Sequence, residues 1–465
     1  MPEKHIMGKG AVLLVDPIRT SEAVSIGLWL NTGSRDEGER EHGFSHFTEH
    51  MLFKGTGKRS HYDIALEIDG AGGEINGATG KENTNYFINS SSEYALNALN
   101  ILTDMYFNSV FDKDEFEKER AVILDEIDMS FDDPDDYVGE LYSGVLWGRI
   151  PFGLPVIGER EHIEKAAVKD LKRFYRRHYL EERLIVSVAG KVDPAEIRRE
   201  VARLLRRRRE GAGAEESKVR SRPPRAQSPS PSASRSRSPS SRATTPSSRP
   251  MSPEMARPSS HGRRKPKALK GRRVVSRDIE QVYFICGREG YGYRDENRYP
   301  MALFNTILGN SFSSRLFQRV REKLGLCYSI ASSATSYSDV GEFSVSFATS
   351  GKNLPRVLDA VNRELTLVKC GDITDAELEM AKRRFKGNYV LAKENNEWKM
   401  VKMAMQEMLY GRLIPYDETL MKIDKVTLDD VNKVGGEMLS SSAFSIASVG
   451  PREQHKYLEG FRFTF

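Results

Sequence analysis

The chain has 465 residues, of which 38% are apolar and 29% are charged, and its formal net charge is +5. Its length predicts two or three domains, and no apolar run approaches the roughly 18 residues of a membrane span, which excludes a membrane-spanning protein. The three cysteines, Cys286, Cys327 and Cys370, are too few and too scattered for a disulfide framework, so we expect a reducing compartment. The N-terminus has neither an apolar signal core nor an arginine-rich amphipathic pattern, and we therefore predict a cytoplasmic protein.

A helix predicted at residues 43–56, after a predicted strand at Ala23–Leu30, contains the order H-x-x-E-H. In a helix, His46 and His50 lie one turn apart on the same face, and Glu49 lies at the edge of that face. A hydrolytic zinc site uses imidazole and carboxylate ligands and needs a base near the bound water. The order matches the inverzincin signature, although a helix with two surface histidines and an acid has the same pattern.

A second helix, predicted at residues 115–127, offers a third ligand. Its Glu119 and Glu126 are seven residues apart, which is two turns, so both lie on one face. A catalytic zinc ion usually has three protein ligands. One of the two acids can complete that set while the other supports it; the alternative is an ordinary charged helix with solvated acids.

A strongly basic segment divides the chain. From Arg206 to Arg273 there are 20 Lys and Arg against 4 acids, a charge of +16 that leaves about −11 for the rest. The segment is rich in Ser, Pro and Arg and has too few apolar residues to offset the entropy of ordering. We predict a disordered linker at 206–272 between domains at 1–205 and 273–465. We expect a passive tether, with nucleic-acid binding through its Arg-Ser repeats as the alternative.

The two domains repeat each other in pattern. Residues 163–190 and 423–450 both begin with an isoleucine, pass through a predicted helix and end in a strand and a glycine. Alternating residues at 84–89 and 342–348 indicate half-buried strands of a mixed or antiparallel sheet. The pattern favours an α+β fold of two homologous halves, with helices packed on one face of each sheet. The second half has Phe-Asn-Thr-Ile-Leu-Gly at 304–309 in place of H-x-x-E-H, so only the first half is predicted to hold a metal.

Together these residues resemble a known family. The H-x-x-E-H run continues as M-L-F-K-G-T, and an acid follows about 75 residues later in K-E-R-A-V-I-L-D-E-I. This order looks like the pitrilysin or insulin-degrading-enzyme family of zinc metallopeptidases, above all its short-chain branch with mitochondrial processing peptidase and bacterial homologues. The resemblance implies one Zn²⁺ per chain, with His46, His50 and Glu126 as ligands, Glu49 as general base and Glu119 as the acid that orients the site.

Two further blocks are similar to the same family. Residues 72–86 resemble its edge strand, in which Asn76 and the neighbouring backbone hold the substrate. Residues 313–328 resemble the block that carries the substrate-binding pair Arg321 and Tyr328, and Tyr328 is our candidate donor to the oxyanion of the reaction. The resemblance also implies that two chains pair, so that this pair of one subunit completes the zinc site of the other. We expect a homodimer, with a heterodimer containing a degenerate homologue as the alternative.

The function predicted from these residues is zinc-dependent endopeptidase activity on peptides or unfolded polypeptide segments. One alternative is a non-catalytic scaffold subunit of a processing-peptidase-like assembly. Loss of a ligand or of the base would favour that alternative, and all four residues are present. The other alternative is a nucleic-acid-associated protein that acts through the Arg-Ser segment, which would bind with a steep salt dependence.

Overall fold

Two β-sheets with their covering helices form the protein in the computed structural model, which describes residues 2–180, 183–206, 263–440 and 444–465. The strands of the first sheet are β1 Glu3–Ile6, β2 Val12–Pro17, β3 Ala23–Leu30, β4 Glu74–Thr79, β5 Thr84–Ser91 and β6 Ile185–Gly190. Those of the second sheet are β7 Arg272–Ser276, β8 Gln281–Gly290, β9 Ser329–Ser336, β10 Gly341–Ser350 and β11 Ser445–Gly450. Both sheets are mixed, because β2 pairs with β6 and β7 with β11 in parallel, while the other neighbours are antiparallel.

Helices follow the strands in both halves. Those of the first half are α1 Phe44–Leu52, α2 His61–Gly70, α3 Ala95–Asn108, α4 Lys113–Asp132, α5 Pro134–Trp147, α6 Arg160–Lys165, α7 Val168–Tyr175 and α8 at 194–206. Those of the second half are α9 Arg298–Leu308, α10 Leu354–Lys369, α11 Asp375–Ala392, α12 Asn396–Tyr410, α13 Tyr416–Asp424, α14 Leu428–Met438 and α15 His455–Leu458. Among the described helices, none combines the length and the apolar content that crossing a bilayer requires.

The strand order confirms the predicted α+β fold of two similar halves. The first sheet runs β1-β2-β6-β3-β5-β4 and the second runs β7-β11-β8-β10-β9, so five strands of each follow the same path. The predicted strands and helices are present, with one correction. The segment 72–86 forms the edge strand only over Glu74–Thr79, because a turn at 80–83 reverses the chain into β5.

Each half also covers the other half's sheet with one helix. The helices that pack on the sheet of their own half lie on one face of it, as predicted. The other face of the first sheet contacts α12, where Met400 shares an apolar cluster with Trp29 and its carbonyl accepts a hydrogen bond from Ser187 Oγ (2.8 Å). The other face of the second sheet contacts α5, through Tyr142 and Trp147. Because β6 and β11 are buried on both faces, their sequences are almost free of charge.

Residues 263–272, the last part of the predicted linker, are ordered in the structure. Residues 207–262, which include the Arg-Ser repeats and hence the proposed nucleic-acid contact, lie outside the described residues. The prediction that the linker continues to 272 is wrong. Arg263 donates two hydrogen bonds to the carboxylate of Asp36 (2.7 and 2.6 Å), and Arg272 begins β7, which pairs with β11. Charge pairing and strand pairing with distant residues supply order that local composition does not reveal.

Candidate metal centre

The helix α1 is fixed at its N-terminus by a buried carboxylate. Glu37 accepts hydrogen bonds from the backbone N–H groups of Gly43 (2.9 Å) and Ser45 (2.7 Å), which would otherwise lack partners in the first turn. Burial raises the pKa of Glu37 to about 8, against the lowering effect of these two bonds. Gly43 has a positive φ of 89° and packs so tightly that a Cβ there would lie 2.8 Å from the Cα of Gly158. The start of the metal-facing helix is therefore set by close packing as well as by hydrogen bonds.

Aromatic packing fixes α1 against α4. The ring of Phe47 stacks on that of Phe116 with centroids 4.6 Å apart, and both side chains are fully buried. This contact holds α1 against α4, so that the two histidines of α1, which lie next to Phe47 on the helix surface, meet the acids of α4. The two histidines of α1 and the acids Glu119 and Glu126 of α4 thus face each other between these two helices.

Three potential ligand atoms converge between these helices. Glu126 Oε2 lies 3.9 Å from His46 Nε2 and 3.7 Å from His50 Nε2, and the ligand atoms of the three residues all lie within 4.8 Å of one another. Ligands bound to zinc at about 2.0–2.2 Å in a tetrahedral arrangement lie about 3.5 Å apart. Two imidazoles with one carboxylate are also a donor set typical of catalytic zinc. The residues present therefore fit a zinc ion by spacing and by chemistry.

Glu119 supports this arrangement from behind. Its Oε2 lies 2.9 Å from His50 Nδ1, and its Oε1 lies 2.7 Å from Lys54 Nζ. A carboxylate on the far nitrogen of a histidine fixes the ring and leaves Nε2 free to bind a metal. His46 differs, because its buried Nδ1 has no hydrogen-bond partner within the described chain.

The two histidines have opposite electrostatic environments. Burial, together with the charge of His50, lowers the pKa of His46 to about 4, so that this ring is neutral at pH 7 and able to bind a metal. Burial also opposes the charged form of His50, but the hydrogen bond that its Nδ1–H donates to Glu119 and the charges of Glu126 and Glu49 together raise its pKa. The acids around His50 thus favour a positive charge at this ring, whereas His46 is held neutral.

Glu49 lies beside His46, His50 and Glu126, close enough to interact electrostatically with His50 and Glu126, and it also contacts the edge strand β4. Its Oε2 accepts a 2.6 Å hydrogen bond from Thr79 Oγ1, and a Cβ at Gly77 would lie 3.1 Å from its Oε1. Burial raises the pKa of Glu49, and the Thr79 bond works in the opposite direction. A carboxylate whose pKa is raised holds an accepted proton more readily, which suits a general base.

The predicted substrate-binding residues lie elsewhere. Asn76 is exposed on β4, on the face opposite to Gly77 and Thr79. Arg321 lies over the rings of Phe317 (4.7 Å) and Tyr328 (5.2 Å), and Tyr328 is 80% exposed. No hydrogen bond, ion pair or ring contact in the described chain joins Arg321 or Tyr328 to the ligand cluster. The structure thus brings together five of the eight predicted residues, and their roles stay predictions.

Sequence reasoning missed four residues that shape the centre, namely Glu37, Lys54, Gly77 and Thr79. The motif carries no signal for Glu37, which holds the start of α1, or for Lys54, which pairs with Glu119 of α4, because both contacts depend on the folded chain. Gly77 and Thr79 had a weak signal. They are two residues apart in a predicted strand, which places both on one face.

Two family models match the chain. Residues 13–159 match the model described as Insulinase (Peptidase family M16), and residues 165–385 match the model described as Peptidase M16 inactive domain. The chain belongs to peptidase family M16. The insulinase model covers the ligand cluster, while the inactive-domain model begins in α6 and covers most of the half in which α9 has no histidine.

Relatives of this M16 chain match it over almost its whole length. A protein of Streptomyces coelicolor named an uncharacterized zinc protease is 32% identical over 95% of this chain and 88% of its own. One of Bacillus subtilis with the same description is 30% identical over 97% of this chain and 98% of its own. Solved structures of a peptidase M16 inactive domain from Pseudomonas fluorescens and of a protease from Helicobacter pylori share the fold. Both have a TM-score of 0.78 and 18% identity over 97% of this chain, covering 98% and 99% of theirs.

Proposed function

We propose that this M16 chain is a zinc-dependent endopeptidase that hydrolyses peptides or unfolded polypeptide segments. The observation that carries the proposal is the convergence of one ligand atom each from His46, His50 and Glu126 within 4.8 Å of one another, with Glu126 Oε2 at 3.9 and 3.7 Å from the two Nε2 atoms. Relatives that are about 30% identical over nearly the full length are named zinc proteases, which supports the same activity here.

Each residue of the proposed site has its own role in peptide hydrolysis. A zinc ion held by His46, His50 and Glu126 would supply Lewis acidity, activating a water and polarising the scissile carbonyl. Glu49 accepts the proton of the attacking water and returns it to the leaving amine. Thr79 holds the Glu49 carboxylate in one orientation, and Glu119 holds the His50 ring.

The substrate lies along β4 in this proposal. β4 is the last strand of its sheet, and its outer edge has no strand partner among the described residues. An extended peptide can add to such an edge through main-chain hydrogen bonds, with Asn76 available on the exposed face. Most segments of a folded domain already have main-chain partners and are not free to add to this edge, which favours peptides and unfolded segments as substrates.

The second half of a partner subunit completes the site. Besides its two ring contacts, the Arg321 guanidinium has a 3.6 Å ion pair with Glu322 and donates no hydrogen bond in the described part of the chain, so its N–H groups are available to a substrate backbone. The Tyr328 side chain is largely exposed, so its hydroxyl is available to donate a hydrogen bond to the oxyanion. Neither residue contacts the ligand cluster of its own chain, which supports a homodimer in which each chain serves the other.

Substitution of Glu49 by Gln tests the proposal directly. The amide keeps the size of the side chain but cannot accept a proton, so we expect peptide hydrolysis to fall by at least about 10²- to 10⁴-fold. Metal analysis should still find about one zinc per chain, as in the unsubstituted protein. Full activity in Glu49→Gln would show that Glu49 is not the general base. An unsubstituted protein that is inert and contains no zinc would favour the scaffold alternative.

A further inference from the structure

A second group of buried charges joins the end of the basic segment to both halves. We call it the junction cluster; it comprises Arg35, Asp36, Glu82, Arg263 and Asp339. The Arg263 side chain is only 7% exposed. Besides its two bonds to Asp36, its Nη2 donates to the carbonyl oxygens of Asn31 (2.9 Å) and Glu82 (3.0 Å). Arg263 thus fills a pocket built for a guanidinium group.

The remaining members extend the cluster to the second half. Arg35 donates to both carboxylate oxygens of Asp339 (2.8 and 2.7 Å) and forms an ion pair with Glu82. Glu82 accepts hydrogen bonds from the backbone N–H (2.8 Å) and the hydroxyl (2.7 Å) of Ser338. Three carboxylates therefore share two guanidinium groups, and removal of either cation leaves largely buried negative charge without a partner.

The junction cluster also holds the turn that ends β4. Asp36 Oδ2 accepts a hydrogen bond from the backbone N–H of Gly33 (3.0 Å) as well as from Arg263. Gly33 packs directly on the turn, where a Cβ would lie 2.3 Å from the carbonyl oxygen of Gly80. The next two backbone N–H groups, of Ser34 and Arg35, donate to the turn at Gly80 (3.1 Å) and Lys81 (2.8 Å).

This turn begins immediately after Thr79, which donates to the proposed base Glu49. A continuous series of contacts therefore runs from Arg263 through Asp36 and Gly33 to the turn, and from there to Thr79. A small displacement of Thr79 changes the orientation of the Glu49 carboxylate, and catalysis is sensitive to errors of that size.

We propose that Arg263, at the end of the basic segment, is a positioning residue of the peptidase site. Its guanidinium neutralises Asp36 and thereby holds the turn at 80–83 and the edge strand β4 where Thr79 meets Glu49. The segment is therefore more than a passive tether at this end. The effect on hydrolysis rests on the proposed function, whereas the effect on the turn does not.

The neighbouring residue provides a matched control. The Arg264 side chain is exposed, and only its backbone carbonyl contributes, by accepting a hydrogen bond from Arg35 Nη2 (3.0 Å). Arg264→Ala removes the same charge one position away and leaves the junction cluster intact.

Hydrogen exchange of the full chain tests the effect on the turn. In Arg263→Ala we expect amide exchange in peptides that cover residues 74–83 to be at least about tenfold faster, because the local opening free energy falls. Arg264→Ala should match the unsubstituted chain. Guanidinium ion at about 10 mM, well below denaturing concentrations, should slow exchange in Arg263→Ala by refilling the pocket. Unchanged exchange at 74–83 in Arg263→Ala, or an equal increase in Arg264→Ala, overturns the proposal.

Two further measurements keep the test decisive. If Arg263→Ala does not fold, Asp36→Asn breaks the same ion pair from the other side, and it must then show the faster exchange at 74–83. In the zinc-loaded enzyme we expect kcat to fall about tenfold in Arg263→Ala with zinc content unchanged. An unsubstituted chain without activity would refute the peptidase proposal, yet the exchange data would still decide the role of Arg263. Faster exchange at 74–83 with an unchanged kcat would limit Arg263 to a structural role and overturn its assignment as a positioning residue.

Discussion

The two halves place chemically different helices on the same scaffold. Their five shared strands follow one order, yet α1 offers two imidazoles and a carboxylate, whereas α9 buries apolar residues such as Phe304 and Leu308. In the first half Glu119 and Glu49 both have hydrogen-bond partners. In the second half Tyr328 is largely exposed and Arg321 is half-buried over its ring. The comparison indicates that the scaffold does not depend on the H-x-x-E-H motif, because the second half has the same strand order without it.

The largest expected effect concerns the third ligand. Glu126→Gln removes the only carboxylate of the ligand cluster, and we expect metal analysis to find no bound zinc and assays to find no hydrolysis. Glu119→Gln keeps all three ligands but loosens His50, so zinc affinity should fall by about 10- to 100-fold. Glu117→Gln, exposed on the same helix, is the control and should match the unsubstituted enzyme. Retention of tightly bound zinc in Glu126→Gln would contradict the assignment.

Mixing two inactive variants tests whether the second half serves another chain. Glu49→Gln retains Arg321, and Arg321→Ala retains Glu49, so a mixed dimer has one site with both residues. An equal mixture should recover about a quarter of the unsubstituted activity if the dimer is symmetric and exchanges subunits. Activity no higher than the mean of the two separate variants would show that each chain works alone.

A smaller effect is expected at the hydrogen bond between the edge strand and the base. Thr79→Val removes the hydroxyl at nearly constant volume, and a bond to a charged group is worth about 1.5–3 kcal/mol. We therefore expect kcat to fall by about 10- to 100-fold, with zinc content unchanged. Thr79→Ser restores the hydroxyl and should recover most of the loss. A serine variant as slow as the valine variant would exclude this role for the hydroxyl.

The smallest effect on activity is expected from the exchanged helices. Met400 of α12 and Leu146 of α5 are fully buried, each against the sheet of the other half. Truncation of either residue to Ala should lower the free energy of unfolding by about 2–5 kcal/mol and leave zinc binding intact. Because the halves cover each other, both variants should still unfold in one transition, as followed by calorimetry and circular dichroism. Two separated transitions would mean that the halves fold independently.

Local patterns predicted the parts of the molecule that depend on local geometry. The four-residue spacing of His46 and His50 and the seven-residue spacing of Glu119 and Glu126 follow from the helical period alone. The repeated strand and helix patterns likewise predicted two α+β halves. The choice of Glu126 over Glu119 as a ligand came from the family resemblance, because both acids share a face.

The remaining features depend on contacts between distant residues. Thr79 is 30 positions from Glu49 and acts through a strand that crosses the helix. The amphipathic pattern of α12 indicates that one of its faces is buried, but it does not indicate which sheet covers that face. Arg263 belongs by composition to the basic segment, and it is held in the fold by contacts with distant residues, above all its ion pair with Asp36, 227 positions earlier. No window of sequence contains both members of these pairs.

The exchange of α5 and α12 has an evolutionary consequence. A single half would expose one face of its own sheet and would carry a helix with nothing to cover. When two copies exchange these helices, each copy covers the exposed sheet face of the other, as in a domain-swapped dimer. A duplicated and fused gene would inherit that arrangement intact. The connection between the copies would then join two halves that already hold each other, so the fold itself would place little constraint on its length.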